Sequence, residues 1–385
     1  MPSPRLSLCT YTYNDAGFIH DLLRQVPSWQ VQPDEIVVVD DGSKQPFAPR
    51  IPLPQLRVIR LDQNQGITRA KGAGLSAARG ERIFSLDCDT RVAPDWLSVN
   101  LPNLERHGVG LVGGALAHAA GSDLVSRYLR AYGDNHNMQH TGEVEFLPGN
   151  AFLLRRSTWE QVGGFSAHAE TCCEDHYLSH LLRGRGYSLY TDADAKAWQL
   201  RRIRRSTLCK RVWTWCHKTV KGQMLGGERA VPYLFEVAVK PMLERFDTST
   251  RQGEPLFLYV DLLYLAHTVL DCLDYAVEEG LTTAPVRAGF LRRLAGLFEG
   301  YPRLWACFRT DLADTGRQVL MPAAGDEDAW TDFFLFSDML RHSGLFDWLE
   351  REGVALLRRE ERDEHYHFSA YAQASFAMEP RNSRA

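Results

Sequence analysis

The chain has 385 residues, 44% of them hydrophobic and 24% charged, with a formal net charge of −4 at pH 7. That length allows two domains with sizeable cores, and the composition is that of a globular protein. The slight acidity excludes a general nucleic-acid-binding role.

The eight cysteines, Cys9, Cys88, Cys172, Cys173, Cys209, Cys216, Cys272 and Cys307, form no CxxC pair and no zinc-like spacing. Several sit in apolar runs, where a thiol behaves as a small hydrophobe. No N-terminal stretch combines a basic start, an apolar centre and a small-residue cleavage site. Reduced thiols in a cytoplasmic protein are the expectation.

In chain order, "RLSLCTYTY" (5–13) reads as a strand and "FIHDLLRQV" (18–26) as a helix. "EIVVVDDGS" (35–43) is a fully apolar strand ending in acids and a turn, and "LRVIRL" (56–61) is another strand. "GITRAKGAGLSAAR" (66–79) is a small-residue helix, followed by the strand "RIFSLD" (82–87) and the helix "DWLSVNLPNLERH" (95–107). Strands alternating with helices, and apolar throughout, predict an α/β fold with a Rossmann-like, mostly parallel sheet flanked by helices. Ligands of such sheets bind beyond the carboxyl ends of the strands. Three strands end in polar sequence, "TYTYND", "VVDDGS" and "SLDCDT", so these tips are expected to open onto one crevice.

From about residue 226 helical patterns dominate. The expected division is therefore an α/β domain over 1–225 and an all-α domain over 226–385 that binds a further molecule or forms a homodimer. Its last stretch, "EERDEHYHFSAYAQASFAMEPRNSRA", is expected to fray. The greasiest segment, 256–277, carries Asp261, His267, Asp271 and Asp274. Such charges are costly in lipid, so it reads as a buried helix.

Asp87 and Asp89 flank Cys88 at a strand end. By themselves two such acids fit either a turn or a divalent-cation site. Around them, six pieces stand in order: "TYTYND", "VVDDGS", "NQGITRAKGAG", "DCDT" with "PDW", "PGNAFLLRRSTWEQVGGF" and "EDHYLSHLLRGRGY". In that order they resemble the family-2 glycosyltransferases of the GT-A fold, over about residues 5–205.

The resemblance implies a transferase that takes a sugar, a hexosyl or N-acetylhexosaminyl group, from a nucleotide-sugar, with a UDP-sugar the expected donor. Tyr11, Tyr13 and Asp41 would hold the nucleoside, Asp41 by a hydrogen bond from the base. Asp87 would lie near the ribose with Cys88 beside it, and Asp89, aided by Asp87, would hold Mn²⁺ or Mg²⁺ on the diphosphate. Tyr offers a flat apolar face to a base, and a cation stabilises the departing diphosphate. Lys71 stands where the family commonly has Arg and is a candidate phosphate or nucleotide contact. Gly149 and Asn150 would line the donor-sugar pocket. Asp175 matches the catalytic base, which takes the acceptor's proton during inverting transfer, and Glu174 would help position the acceptor.

Three features stand outside that pattern. Gln199 occupies the position of a family histidine that is often a metal ligand. Water could complete the coordination, another residue such as His217 could swing in, or metal dependence could be weakened. "QLRRI" (199–203) resembles the QxxRW motif of processive synthases without its Trp, which favours a non-processive enzyme. The basic run "RRIRRSTLCKRVWTWCHKTVKG" fits a diphosphate clamp, a surface for an anionic lipid-phosphate acceptor with peripheral membrane contact, or a solvated helix face. Arg202 and Arg205 are its candidate phosphate contacts. His176 and His180, spaced i, i+4, lack the HExxH pattern of zinc hydrolases and read as one helical face. The resemblance makes 1–225 the catalytic domain and leaves 226–385 to bind acceptor or dimerise; the acceptor (saccharide, lipid-linked or peptide) is open at this stage. The rivals are a sugar nucleotidyltransferase, which should carry a Gly-rich loop after the first strand, and a non-catalytic sugar-nucleotide-binding protein.

Overall fold

A computed structural model describes residues 5–118, 121–132, 139–168, 173–210, 256–279 and 284–313. The chain divides into two compact units, one of Met1–Ser122 with Leu129–Arg202, the other of Asp123–Tyr128 with Ile203–Ala385. The expected boundary after residue 225 lies outside the described residues, and the described chain changes unit after Arg202.

The first unit contains β1 (Leu6–Thr12), α1 (Ala16–Gln25), β2 (Glu35–Asp40), β3 (Leu56–Arg60), α2 (Ile67–Ala77), β4 (Arg82–Leu86), β5 (Thr90–Val92) and α3 (Trp96–Leu104). It continues with β6 (Val109–His118), part of α4 (Leu124–Tyr132), β7 (Gly142–Val144), β8 (Ala151–Arg155), α5 (Arg156–Val162), α6 (Glu174–Gly184) and β9 (Ser188–Gln199). The sheet order is β3-β2-β1-β4-β8-β6-β9-β5, with β7 also on β9.

β3, β2, β1 and β4 are parallel neighbours, as the alternating pattern predicts. β8 runs antiparallel to both β4 and β6, and β5 and β7 are antiparallel to β9. β9 is parallel to β6, so β3, β2, β1, β4, β6 and β9 all run one way, the mostly parallel sheet expected, with β8, β5 and β7 reversed within it. The apolar run Phe152–Leu154 marks β8 as covered on both faces, but burial carries no information about strand direction.

This order has a functional consequence. β1, β2 and β4 end at the same edge of the sheet where antiparallel β8 begins, with Leu86 opposite Ala151 and Thr12 opposite Asp40. β9 reaches that edge too, with Gln199 opposite Thr90 and His118.

The core that holds the edge in place joins Leu8, Ile36, Val38, Phe84 and Leu153 of the sheet to Ile19, Leu22 and Leu23 of α1 and Trp96 of α3. Each such side chain contributes about 2 kcal/mol on burial. Phe84 and Trp96 stack with ring centroids 4.5 Å apart. On α2, Gly74 brings the helix close to the sheet: a Cβ there would sit 3.3 Å from Val39 Cγ2.

In the second unit the described elements are helical: α7 (Arg205–Cys209), α8 (Leu256–Glu278), α9 (Ala284–Leu297) and α10 (Pro302–Ala313). α8 is the buried helix expected from its sequence, with Tyr259, Leu262, Leu263, Ala266 and Leu273 almost inaccessible. Its acids are partnered: Asp261 accepts a 2.6 Å hydrogen bond from Tyr128, Asp271 pairs with Lys210, and Asp274 pairs with Arg287. Among the described residues, no helix is long and apolar enough to cross a membrane. Cys9, Cys88, Cys209 and Cys307 are free thiols.

Candidate functional site

The adjacent acids Asp40 and Asp41 do different work. Burial would raise the Asp40 carboxyl, but hydrogen bonds from Ser43, Phe47 and Arg60 outweigh it and hold the pKa below normal. Asp40 is thus a structural clamp on its own loop. Asp41 Oδ1 accepts from the Gln65 backbone N–H at 2.8 Å, and Oδ2 from that of Gly66 at 3.0 Å. It ties the β2 tip to the entry of α2, and a carboxylate so engaged keeps lone pairs for a further donor. Gly42 between these turns has φ of 67°, and a Cβ there would meet the Gln63 backbone at 2.4 Å.

Lys71 on α2 is the hub of the site. Its Nζ lies 2.6 Å from Glu174 Oε1 and 3.1 Å from Asp87 Oδ1, and donates to the Gly149 carbonyl at 2.9 Å. It also sits 5.4 Å from the centroid of the Tyr11 ring. Burial alone would lower the Lys71 pKa, yet Asp87 and Glu174 outweigh it and hold the ammonium charged, with a pKa above normal. Asp87 is pushed up to about 7, first by burial and then by Asp89 and Glu174, against the pull of Lys71. Its Oδ1 is buried and faces the Lys71 ammonium. Burial and the nearby Asp87 likewise hold the Tyr11 hydroxyl well above its ordinary value.

Glu174 is only 5% exposed and faces Lys71. Its neighbour Asp175, at the first turn of α6, is partly exposed. Asp175 Oδ2 accepts from the Gly149 backbone N–H at 3.0 Å, and Oδ1 from that of His176 at 2.9 Å. A helix N-terminus favours this negative charge. Cys173 caps the helix in a left-handed conformation, φ 63°. Gly149 fits because it has no side chain: a Cβ would approach Lys71 Nζ to 2.8 Å and Glu174 Oε1 to 2.9 Å. Asn150 joins the cluster through its carbonyl, which accepts from the Asp87 N–H at 2.8 Å.

Asp89 lies one turn away in a second group. Its Oδ2 accepts from Arg201 Nε at 2.6 Å, and Arg201 Nη2 reaches Asp15 Oδ2 at 2.8 Å. The Leu200 N–H donates to the Asp89 carbonyl at 2.7 Å, joining the end of β9 to the β4–β5 turn. Arg201 and Asp15 stand within stretches that the sequence brought forward, "QLRRI" and "TYTYND", but nothing in the spacing marks them as a pair. The same holds for His118, which the register sets beside Gln199.

The other candidates are placed as follows. The Cys88 side chain belongs to the hydrophobic core. Tyr13 is 42% exposed and Arg202 is exposed at the end of the first unit. Arg205 is buried in the second unit, paired with Asp311, which also accepts from Tyr259 at 2.6 Å. His217 lies outside the described residues. His176 stacks on Phe146 at 4.2 Å, while His180 is exposed, so the two do not form a metal pair.

Among the described residues, no three His, Cys, Asp or Glu side chains gather around one point in a way that would hold a metal by themselves. What the edge provides is two carboxylates, Asp87 facing Lys71 and Asp89 facing Arg201. That donor set fits Mg²⁺ or Mn²⁺, which take one or two carboxylates and fill the shell with phosphate and water.

Residues 7–165 match the family described as Glycosyl transferase family 2. The chain is similar to the succinoglycan biosynthesis protein ExoO of Rhizobium meliloti (strain 1021), with 37% identity over 24% of this chain and 28% of that protein. It is similar to polypeptide N-acetylgalactosaminyltransferase 12 of Mus musculus, with 37% identity over 27% of this chain and 19% of that one. An uncharacterized glycosyltransferase of Bacillus subtilis (strain 168), YwdF, is 29% identical over 45% of this chain and 67% of its own length. The matches thus span less than a third of the first two relatives.

Proposed function

We propose that this chain, whose residues 7–165 match the Glycosyl transferase family 2 model, moves a sugar from a UDP-sugar to an acceptor nucleophile with inversion at the anomeric carbon. The supporting observation is the convergence of Tyr11, Lys71, Asp87, Gly149 and the Glu174–Asp175 pair from five separate stretches of sequence. Only the last of these acids is partly open to solvent while held by a backbone N–H.

The residues divide the work. Tyr11, Tyr13 and Asp41 hold the nucleoside, Asp87 reaches the ribose, and Asn150 borders the sugar. Asp175 takes the proton from the acceptor hydroxyl as that oxygen bonds to the anomeric carbon and the diphosphate leaves with the bonding pair. Its Gly149 contact fixes the direction from which it acts. Asp89 and Asp87 would hold Mn²⁺ or Mg²⁺, whose charge offsets that growing on the leaving diphosphate. Glu174 and Lys71, buried and paired, position Asp175 rather than meet the acceptor.

The test is nucleoside diphosphate release by the full chain from several UDP- and GDP-sugars, with and without Mn²⁺. Asp175→Asn should lower turnover by about 10²-fold or more while leaving UDP binding nearly unchanged, and Asp89→Ala should remove the response to Mn²⁺. Loss of UDP binding in Asp175→Asn would make that residue structural. Turnover that ignores both Mn²⁺ and Asp89→Ala would overturn the metal assignment.

A further inference from the structure

Asp89 already has a resident cation. Arg201 is held on three sides: Nε on Asp89 at 2.6 Å, Nη2 on Asp15 at 2.8 Å, and the guanidinium 4.9 Å from the centroid of the Phe18 ring. Arginine cannot give up its proton in a protein, so it cannot neutralise itself to admit another cation. The neighbouring Asp87 is faced by Lys71 at 3.1 Å. Both carboxylates assigned to the metal are therefore matched by a fixed positive charge.

A divalent ion approaching Asp89 alone meets the guanidinium on the same carboxylate, and like charges at such range repel. A nucleoside diphosphate changes the balance, because its negative oxygens attract the ion and the guanidinium together. Resting on the metal reading above, we propose that Arg201 makes divalent-cation binding conditional on the donor's diphosphate. It holds Asp89 Oδ2, leaves Oδ1 for the ion, and is shared with the diphosphate once the donor arrives. Gln199, where a histidine would add affinity for the ion, fits the same arrangement, since the protein alone then supplies little of the coordination shell.

The experiment is a titration of the full chain with Mn²⁺, read from the loss of the free-ion electron paramagnetic resonance signal, with and without UDP. In the wild type UDP should tighten Mn²⁺ binding by about tenfold or more, and Mn²⁺ should tighten UDP binding by the same factor. Arg201→Gln should tighten Mn²⁺ binding without UDP and shrink the coupling severalfold. Asp15→Asn, which leaves Arg201 to Asp89 alone, should shift Mn²⁺ binding without UDP the opposite way. Arg201→Gln with an unchanged thermal midpoint but unchanged or weaker Mn²⁺ binding without UDP overturns the proposal. Asp89→Ala separates the two readings: if it leaves Mn²⁺ binding with UDP untouched, the metal assignment itself fails. A GDP arm shows whether the effect follows the diphosphate or the base.

Discussion

Lys71 Nζ and Glu174 Oε1 lie 2.6 Å apart although 103 residues separate them in sequence, and both are at least nine-tenths buried. This pair joins the donor-side helix α2 to the start of α6, which carries Asp175. Removing one member leaves the other charge buried and unmatched, and such breaks cost about 3–5 kcal/mol. Lys71→Met should therefore lower the urea midpoint strongly. Adding Glu174→Gln to it should recover part of the loss, because Glu174 would no longer be a buried charge. Equal destabilisation of the single and double variants would show that the pair is not coupled.

Gly149→Ala tests the crowding of the same cluster. The new methyl would enter the space between Lys71 Nζ and Glu174 Oε1, and overpacking of this kind costs about 1–3 kcal/mol. The backbone N–H that holds Asp175 would shift with it, so sugar transfer should fall by more than UDP affinity. Comparison of kcat with the UDP dissociation constant checks the split.

Asp41 holds the β2 tip to the entry of α2, and on the proposed reading it also binds the nucleoside. Asp41→Ala removes the acceptors of the Gln65 and Gly66 N–H groups, and a hydrogen bond to a charged group is worth about 1.5–3 kcal/mol. Stability should drop by an amount in that range, and calorimetry should show UDP binding weakened by about tenfold or more. Asp41→Asn, keeping one acceptor oxygen, should recover stability more than UDP binding.

The second unit has its own response to acid. Burial, with Lys210 and Arg205 nearby, lowers the His267 pKa to about 4. In the unfolded chain this group titrates near its ordinary 6.5. Its folded pKa being depressed, the unfolded state binds more protons between those values. The contribution is fully present above pH 6.5 and is lost as pH falls toward 4, on the order of 3 kcal/mol over the whole window. His267→Gln should flatten that limb in urea melts at pH 4.5 and 7. An unchanged difference between the two pH values would assign the acid sensitivity to other groups.

The residues themselves announced a great deal. Apolar strands such as Glu35–Asp40, the small-residue helix α2 and the acid-bearing helix α8 were legible because periodicity and burial are local properties. The ordered pieces from "TYTYND" to "EDHYLS" singled out Tyr11, Lys71, Asp87, Gly149 and Asp175, which lie together in the folded chain.

What folding alone decided concerns direction and partnership. No local pattern states that β8 runs against β4, yet that reversal sets Gly149 and Asn150 beside Asp87. Nor does it state that Arg201, rather than Arg202 or Arg205, meets Asp89, or that Lys71 is spent on Glu174. Side-chain chemistry is written one residue at a time, whereas the counter-ion of a charge depends on which distant strand ends arrive at the same edge of the sheet.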